Sequence, residues 1–323
     1  RVQELQMVTQ KGENTSVVAI HGNFDHAQSG VKALFEDKEL EKELAAKGYQ
    51  FSSANSINIG RLVPQVVYYV YAYAKLLENE EIQAGEEINV TVPTGNFGNI
   101  LAAYYAKQMG VPIAKLICAS NDNKVLYDFF RTGIYDKKRE FILTSSPSMD
   151  ILISSNLERL IYLSTGCDAE ANRSLMEQLS TQGSYEVTET MKEAMKDFTG
   201  GFATEAENAA EIKKVYEDTG YVIDTHTGVA SAVYRAYAEK TGDTTPTVIA
   251  STASPYKFSH SVMEAIRGDE GSKDEFAIID ELCAVSGVKI PAAVEEIRNA
   301  EIRHKRESDV EDMEKTVAEI LGL

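Results

Sequence analysis

The sequence predicts an α/β protein built on a doubly wound, mainly parallel sheet. Three observations carry this. Short runs rich in apolar and β-branched residues recur at Val17–Ile20, Glu87–Val92, Ala114–Ala119 and Thr247–Ala250, as suits strands buried on both faces. Helical stretches alternate with them. Polar or glycine-bearing turns follow the strands, as at His21-Gly22-Asn23 and Pro93-Thr94-Gly95-Asn96-Phe97-Gly98.

In chain order, residues 2–9 read as a helix end, and Lys11-Gly12-Glu13-Asn14 as a turn before the strand at Val17–Ile20. Asp25 is the expected N-cap of a helix running to about Ala46. Ser52–Asn58 is polar and short-chained, a loop crossing between domains. A helix over 61–77 precedes the strand Glu87–Val92; a helix over Asn99–Gln108 precedes the strand Ala114–Ala119. Another helix is expected near 123–131. Residues 137–215 read as an inserted helical region with one strand at Phe141–Leu143. Tyr221–Ile223 reads as a strand, Gly228–Lys240 as a helix, and the tail after 290 as one charged amphipathic helix.

Composition narrows the function. The 323 residues are 43% hydrophobic, enough for a substantial core, and carry a formal charge of −18. No basic stripe offsets that acidity, so nucleic acid is an unsuitable partner. Cys118, Cys167 and Cys283 form no CxxC pair, and the histidines show no HExxH or HxxxH spacing. Metal binding and a disulfide framework are therefore not expected, and a cytoplasmic protein is. The longest apolar stretch, Leu62–Leu77, holds Pro64 and Gln65 and falls short of the roughly 20 residues a membrane helix needs.

Three polar segments could carry chemistry. The strand-turn-helix at Thr94–Asn99 places two glycines before a helix N-terminus, where free N–H groups and the helix dipole suit an anion. It matches neither GxxxxGK[ST] nor GxGxxG. Ser251-Thr252-Ala253-Ser254-Pro255-Tyr256-Lys257 follows the last core strand, where ligand crevices open in such sheets. Ser52–Arg61 is rich in donors and holds one arginine, suited to carboxylate or phosphate. Each segment also admits a plainer reading: an ordinary turn, a hydroxyl-capped helix start, and a linker with Ser56 or Asn58 as a cap. His226, just before a helix, reads as a capping or packing residue, and the tyrosines at 68, 69, 71 and 73 as core or interface.

Taken together and in this order, HGNFDHAQ (21–28), SSANSINIGRL (52–62), VPTGNFGNILAAYYAKQMG (92–110), DTHTGVASAVYRAY (224–237) and STASPYKFSHSV (251–262) resemble the threonine synthase family. That resemblance implies the doubly wound sheet of the fold-type-II pyridoxal-phosphate enzymes. It implies pyridoxal 5'-phosphate as cofactor, an electron sink, and conversion of O-phospho-L-homoserine and water to L-threonine and phosphate. Gly95, Asn96, Phe97, Gly98 and Asn99 would hold the cofactor phosphate, and Thr252 would meet the pyridine nitrogen. Asn55, Ser56, Asn58, Arg61 and Lys257 are candidates for the substrate, with Arg61 or Lys257 on its phosphate. The family's Schiff-base lysine lies in an FKD-type motif upstream of the region matching Arg1, and neither Lys124 nor Lys257 corresponds to it. The expectation is a remnant of the small domain over 1–52, a large cofactor-binding domain over 53–323, and activity that belongs to a longer parent rather than to these residues alone. The strand Val17–Ile20 would then present an unpaired edge.

Overall fold

A computed structural model describes residues 2–22, 24–55, 57–268 and 274–323. It is a mixed α/β protein with parallel sheets. Its strands are β1 Val18–Ile20, β2 Ile88–Pro93, β3 Ile113–Ser120, β4 Ile134–Asp136, β5 Ser184–Glu186, β6 Phe198–Phe202, β7 Thr247–Ile249 and β8 Arg306–Ser308. The chain divides into two compact units: Arg1–Ser53 with Asp274–Cys283 and Gly287–Leu323, and Ala54–Lys273 with Ala284–Ser286.

The larger unit is built on a four-stranded sheet in the order β6-β3-β2-β7, with every pairing parallel. β2 is buried along its whole length, as an internal strand covered on both faces must be. Alternation along β3 shows the two layers. Leu116 and Cys118 pack into the core on one face with Leu101, Leu126 and Phe129. Ile117 and Ala119 pack on the other with Val229, Ala230 and Val233 from the helix Thr225–Thr241.

β6 lies in the stretch read from sequence as a helical insertion. That reading is corrected: residues 198–202 form the sheet's fourth strand, and 141–143 are in no regular element. The sequence Phe-Thr-Gly-Gly-Phe lacks the bulky run that announces a strand, and interior glycine weakens one. Packing explains the glycines. A methyl on Gly200 would sit 3.0 Å from Tyr127 Cα, and one on Gly201 would sit 2.4 Å from Val233 Cγ1. Helices press on this strand from both sides.

Other boundaries also shift. Tyr221–Ile223 forms no strand and leads into the Asp224 cap of the next helix. The helix expected over 61–77 is interrupted. A short turn of helix at Ile59–Leu62 passes into a 3₁₀ turn at Val63–Gln65, where Pro64 removes a donor, and then into Val66–Glu78.

In the smaller unit, β1 pairs in parallel with β8, Val18 opposite Arg306 and Ile20 opposite Ser308. The edge expected to lie bare is therefore paired on one side, and β1 is half exposed rather than buried on both faces. The tail after 290 is not one helix: helix Ala292–Arg298, β8 and helix Met313–Leu321 succeed one another. Residues 287–323, expected in the large domain, thus cluster with the N-terminal residues. The long helix expected from Asp25 is two, Phe24–Glu36 and Lys38–Ala46; the first already begins at Phe24. The Asp37 carboxylate caps the second, accepting from Glu39 N at 2.8 Å and Leu40 N at 2.9 Å. Among the described residues no helix is long and apolar enough to cross a membrane.

Candidate functional site

The carboxyl ends of parallel strands leave a crevice where loops gather, and the loop after β2 is the centre of this one. Thr94 N–H still bonds Ala119 O of β3 at 2.9 Å, so the loop begins at Gly95. Phe97 then adopts the left-handed conformation, φ +65°, which disfavours any side chain. Its ring offsets this. It is 1% exposed and packs between Phe130 and Phe198 at centroid distances of 6.0 and 5.7 Å, and burial of such a ring stabilises by about 2 kcal/mol. The kink starts the helix Gly98–Gln108, whose first internal bond is Leu101 N–H to Phe97 O at 3.0 Å. The amides of Gly98, Asn99 and Ile100 precede that bond, and no side chain caps the helix. The result is an uncapped, positive helix end.

A second segment backs this loop. A methyl on Gly95 would meet Ser148 O at 2.2 Å, so only glycine allows the approach. The turn at Pro147–Met149 is fixed by His226, 2% exposed, whose Nε2 accepts from Ser148 N–H at 3.2 Å. Nε2 is thus the acceptor, and Nδ1 carries the proton toward Asp224 Oδ1 at 3.2 Å. Burial pushes the Asp224 carboxyl up, but hydrogen bonds from His226 and Thr227 outweigh it and hold the group below the usual carboxylate range. Beneath the turn, buried Asp150 accepts from Thr144 N, Thr144 Oγ1, Asn121 Nδ2 and Asn123 Nδ2 at 2.7–3.1 Å, so its oxygens are met by neutral donors. Further along, Ser154 Oγ donates to Gly95 O at 2.7 Å, and Asn156 donates from both N and Nδ2 to Asn96 O at 3.0 and 2.9 Å.

The three polar segments singled out in the sequence meet at one cavity of about 760 Å³, to which Arg61, Asn99, Ser251 and Thr252 contribute. Tyr68, Tyr69 and Gln65 from the helical segment after Arg61 form one wall, and Val248 with Ala250 the sheet side. Tyr69 donates to Asn99 Oδ1 in a short hydrogen bond. Burial drives the Tyr69 phenol far above its usual range, so it stays a donor. With the oxygen turned to Tyr69, both NH₂ donors of Asn99 remain to be offered. Ser251 Oγ lies 3.1 Å from Thr227 Oγ1, whose proton is already given to Asp224 Oδ2, so Ser251 donates there. The cavity lining contains no carboxylate, in a chain of charge −18. Arg61 has no ion-pair partner among the described residues. A guanidinium, an amide, a hydroxyl and a helix N-terminus form a donor set that fits a phosphate and a neutral ring nitrogen.

The remaining sequence candidates lie elsewhere. Asn55 Oδ1 closes a turn on Ile57 N at 3.0 Å, and Asn58 Oδ1 caps the helix from Ile59 on Gly60 N at 2.9 Å. Asn96 is exposed, with its carbonyl held by Asn156. Lys257 is exposed with Nζ 5.5 Å from the Phe258 ring centroid, and Lys124 Nζ lies 4.2 Å over Phe202; neither lines the cavity. Ser56 lies outside the described residues. Sequence reasoning missed the 146–156 segment and Tyr69. The serines around Pro147 and the Ser154-Ser155-Asn156 run were the available signal. Among the described residues no cluster of His, Cys, Asp or Glu could hold a metal ion.

Comparison with known proteins follows the same lines. Residues 227–320 match the family model described as threonine synthase, C-terminal. A relative named threonine synthase-like 1 from Homo sapiens is 42% identical over 268 residues, 82% of this chain and 36% of that protein. Threonine synthase from Saccharomyces cerevisiae is 37% identical over 282 residues, 83% of this chain and 53% of its own length. The chain thus spans about half or less of the relatives it matches. Among solved structures, PLP-bound threonine synthase from Brucella melitensis superposes with a TM-score of 0.81 at 35% identity, covering 99% of this chain and 63% of that one. The yeast enzyme gives 0.82 at 32%, covering 100% and 62%.

Proposed function

This chain belongs to the threonine synthase family, and on that premise we propose that its cavity holds pyridoxal 5'-phosphate and serves the conversion of O-phospho-L-homoserine and water to L-threonine and phosphate in the whole protein. The observation that carries the reading is the convergence of Arg61, Asn99 and Thr252, far apart in sequence, on one acid-free cavity.

The bound cofactor would supply an electron sink for carbanion chemistry. The chain's own groups would bind and orient. The amides opening the helix Gly98–Gln108 and the Asn99 NH₂ group suit the cofactor phosphate, stabilised by the helix dipole. The Thr252 hydroxyl suits the ring nitrogen, to which it donates without adding charge. Arg61 suits a second anion, the substrate's phosphate, through its planar donor fork. Tyr69, Thr227 and the Ser148–His226 contact do not bind; they fix the orientation of the groups that do.

The test is titration of the chain with pyridoxamine 5'-phosphate, which carries the phosphate and ring nitrogen but no aldehyde to react with surface lysines. Saturable binding should weaken at least about tenfold when the probe is pyridoxamine without its phosphate, or when Asn99→Asp replaces a donor by a charge, each lost contact to a charged group accounting for about that factor. Equal binding of both probes, or none of either, would sink the proposal.

A further inference from the structure

Arg159 is a cation that meets no acid among the described residues. It sits half-buried in the first turn of the helix Leu157–Ser164, beside a cavity of about 520 Å³ lined also by Tyr105, Ser155 and Asn172. No carboxylate lies within ion-pair distance of it among the described residues, although Glu158 is its neighbour in sequence; Glu158 accepts from Asn172 Nδ2 at 3.2 Å instead. The guanidinium is spent on neutral oxygens. Nε donates to Asn156 Oδ1 at 3.2 Å, and Nη2 donates to Ile57 O at 2.9 Å.

Those two acceptors belong to the two arms of the site. Asn156 grips Asn96 O with its amide N–H and its side chain, and Asn96 stands three residues before Asn99. Ile57 stands four residues before Arg61, in the segment where Asn58 caps the helix that carries that arginine. We infer that Arg159 is a positioning residue, a strut that fixes the spacing of the Gly95–Asn99 loop and the Ile57–Arg61 segment and so the geometry of the cavity between Asn99 and Arg61. A rigid planar fork can serve two acceptors at a set angle; a lysine ammonium on a flexible stem cannot hold both. The inference rests on the functional reading above for the use of the site, not for the existence of the strut.

The experiment compares the chain with Arg159→Gln and Arg159→Lys. Amide exchange is followed at Gly60 and Arg61 on one arm and at Leu101 and Asn156 on the other, and each protein is then titrated with pyridoxamine 5'-phosphate. In both variants exchange should quicken about tenfold on both arms together, with the rest of the core unchanged. Probe affinity should fall by a similar factor, with the emission of the bound probe shifted toward that of free probe. Full rescue by Arg159→Lys would show that charge alone matters and would overturn the strut. So would loosening of one arm only, or a general rise in exchange. If the unaltered chain binds no probe while both arms still loosen together, the strut stands and the functional reading fails.

Discussion

The backbone N–H of Ser148 donates to Nε2 of His226 at 3.2 Å, across 78 residues of sequence. This bond fixes the imidazole tautomer and holds the turn that Gly95 packs against. His226→Ala should take the acceptor from the Ser148 N–H, deprive buried Asp224 of a donor and empty the space of a buried ring, costing about 2–3 kcal/mol in urea unfolding. Nitrogen NMR of the unaltered chain should show the Nδ1-protonated tautomer. An Nε2-protonated ring would contradict the assigned contact.

Tyr69 is expected to orient the Asn99 amide rather than to contact ligand. Tyr69→Phe leaves ring packing in place and removes the donor, freeing the amide to turn its oxygen toward the cavity. Affinity for pyridoxamine 5'-phosphate should drop about fivefold, with a loss of about 1 kcal/mol in unliganded stability. Unchanged affinity would show that Asn99 is oriented by other means.

Gly201 and Val233 should behave as a coupled pair. Gly201→Ala drives a methyl against the stiff, branched Val233 side chain and should cost about 2 kcal/mol. Val233→Ala leaves a cavity and should cost a similar amount alone, about 2 kcal/mol. In the double variant the new methyl enters the vacated space, so the summed cost should fall short of additivity by about 1 kcal/mol or more. Strict additivity would mean that the strand shifts instead.

His21 should impose a pH dependence on the β1–β8 pairing. Nε2 faces Glu307 Oε2 at 3.1 Å and Nδ1 faces Asp309 Oδ1 at 2.8 Å, so hydrogen bonds to Glu307 and then Asp309 raise the imidazole above its ordinary 6.5. A raised value means the contribution is complete below 6.5 and is lost as pH climbs through the higher, folded-state value. Protection of the His21 amide, bonded to Ser308 O at 3.0 Å, should weaken across that window after correction for intrinsic exchange. In His21→Gln it should stay flat.

The sequence alone determined what depends on local pattern. Strands buried in a parallel sheet read as apolar, β-branched runs, so β2 and β3 announced themselves, as did the half-buried edge strand β7, and the α/β class with them. A helix entered through Gly95–Gly98 needs glycine for a close backbone approach, so the candidate anion loop was visible as well. The 251–257 segment stood out because it follows the last core strand, while the family resemblance alone singled out Thr252 within it. Tertiary structure decided the rest. β6 is a strand because Tyr127 and Val233 press on Gly200 and Gly201 from either face, and no local propensity in Phe-Thr-Gly-Gly-Phe records that pressure. β1 finds its partner in β8 nearly three hundred residues later. Arg159 looks in sequence like any solvated helical cation, and Tyr69 like one tyrosine of an apolar stripe. Their roles arise only where Asn156, Ile57 and Asn99 are brought to them. A hydrogen bond needs its acceptor within about 3 Å, and for partners distant in the chain only the assembled fold sets that distance.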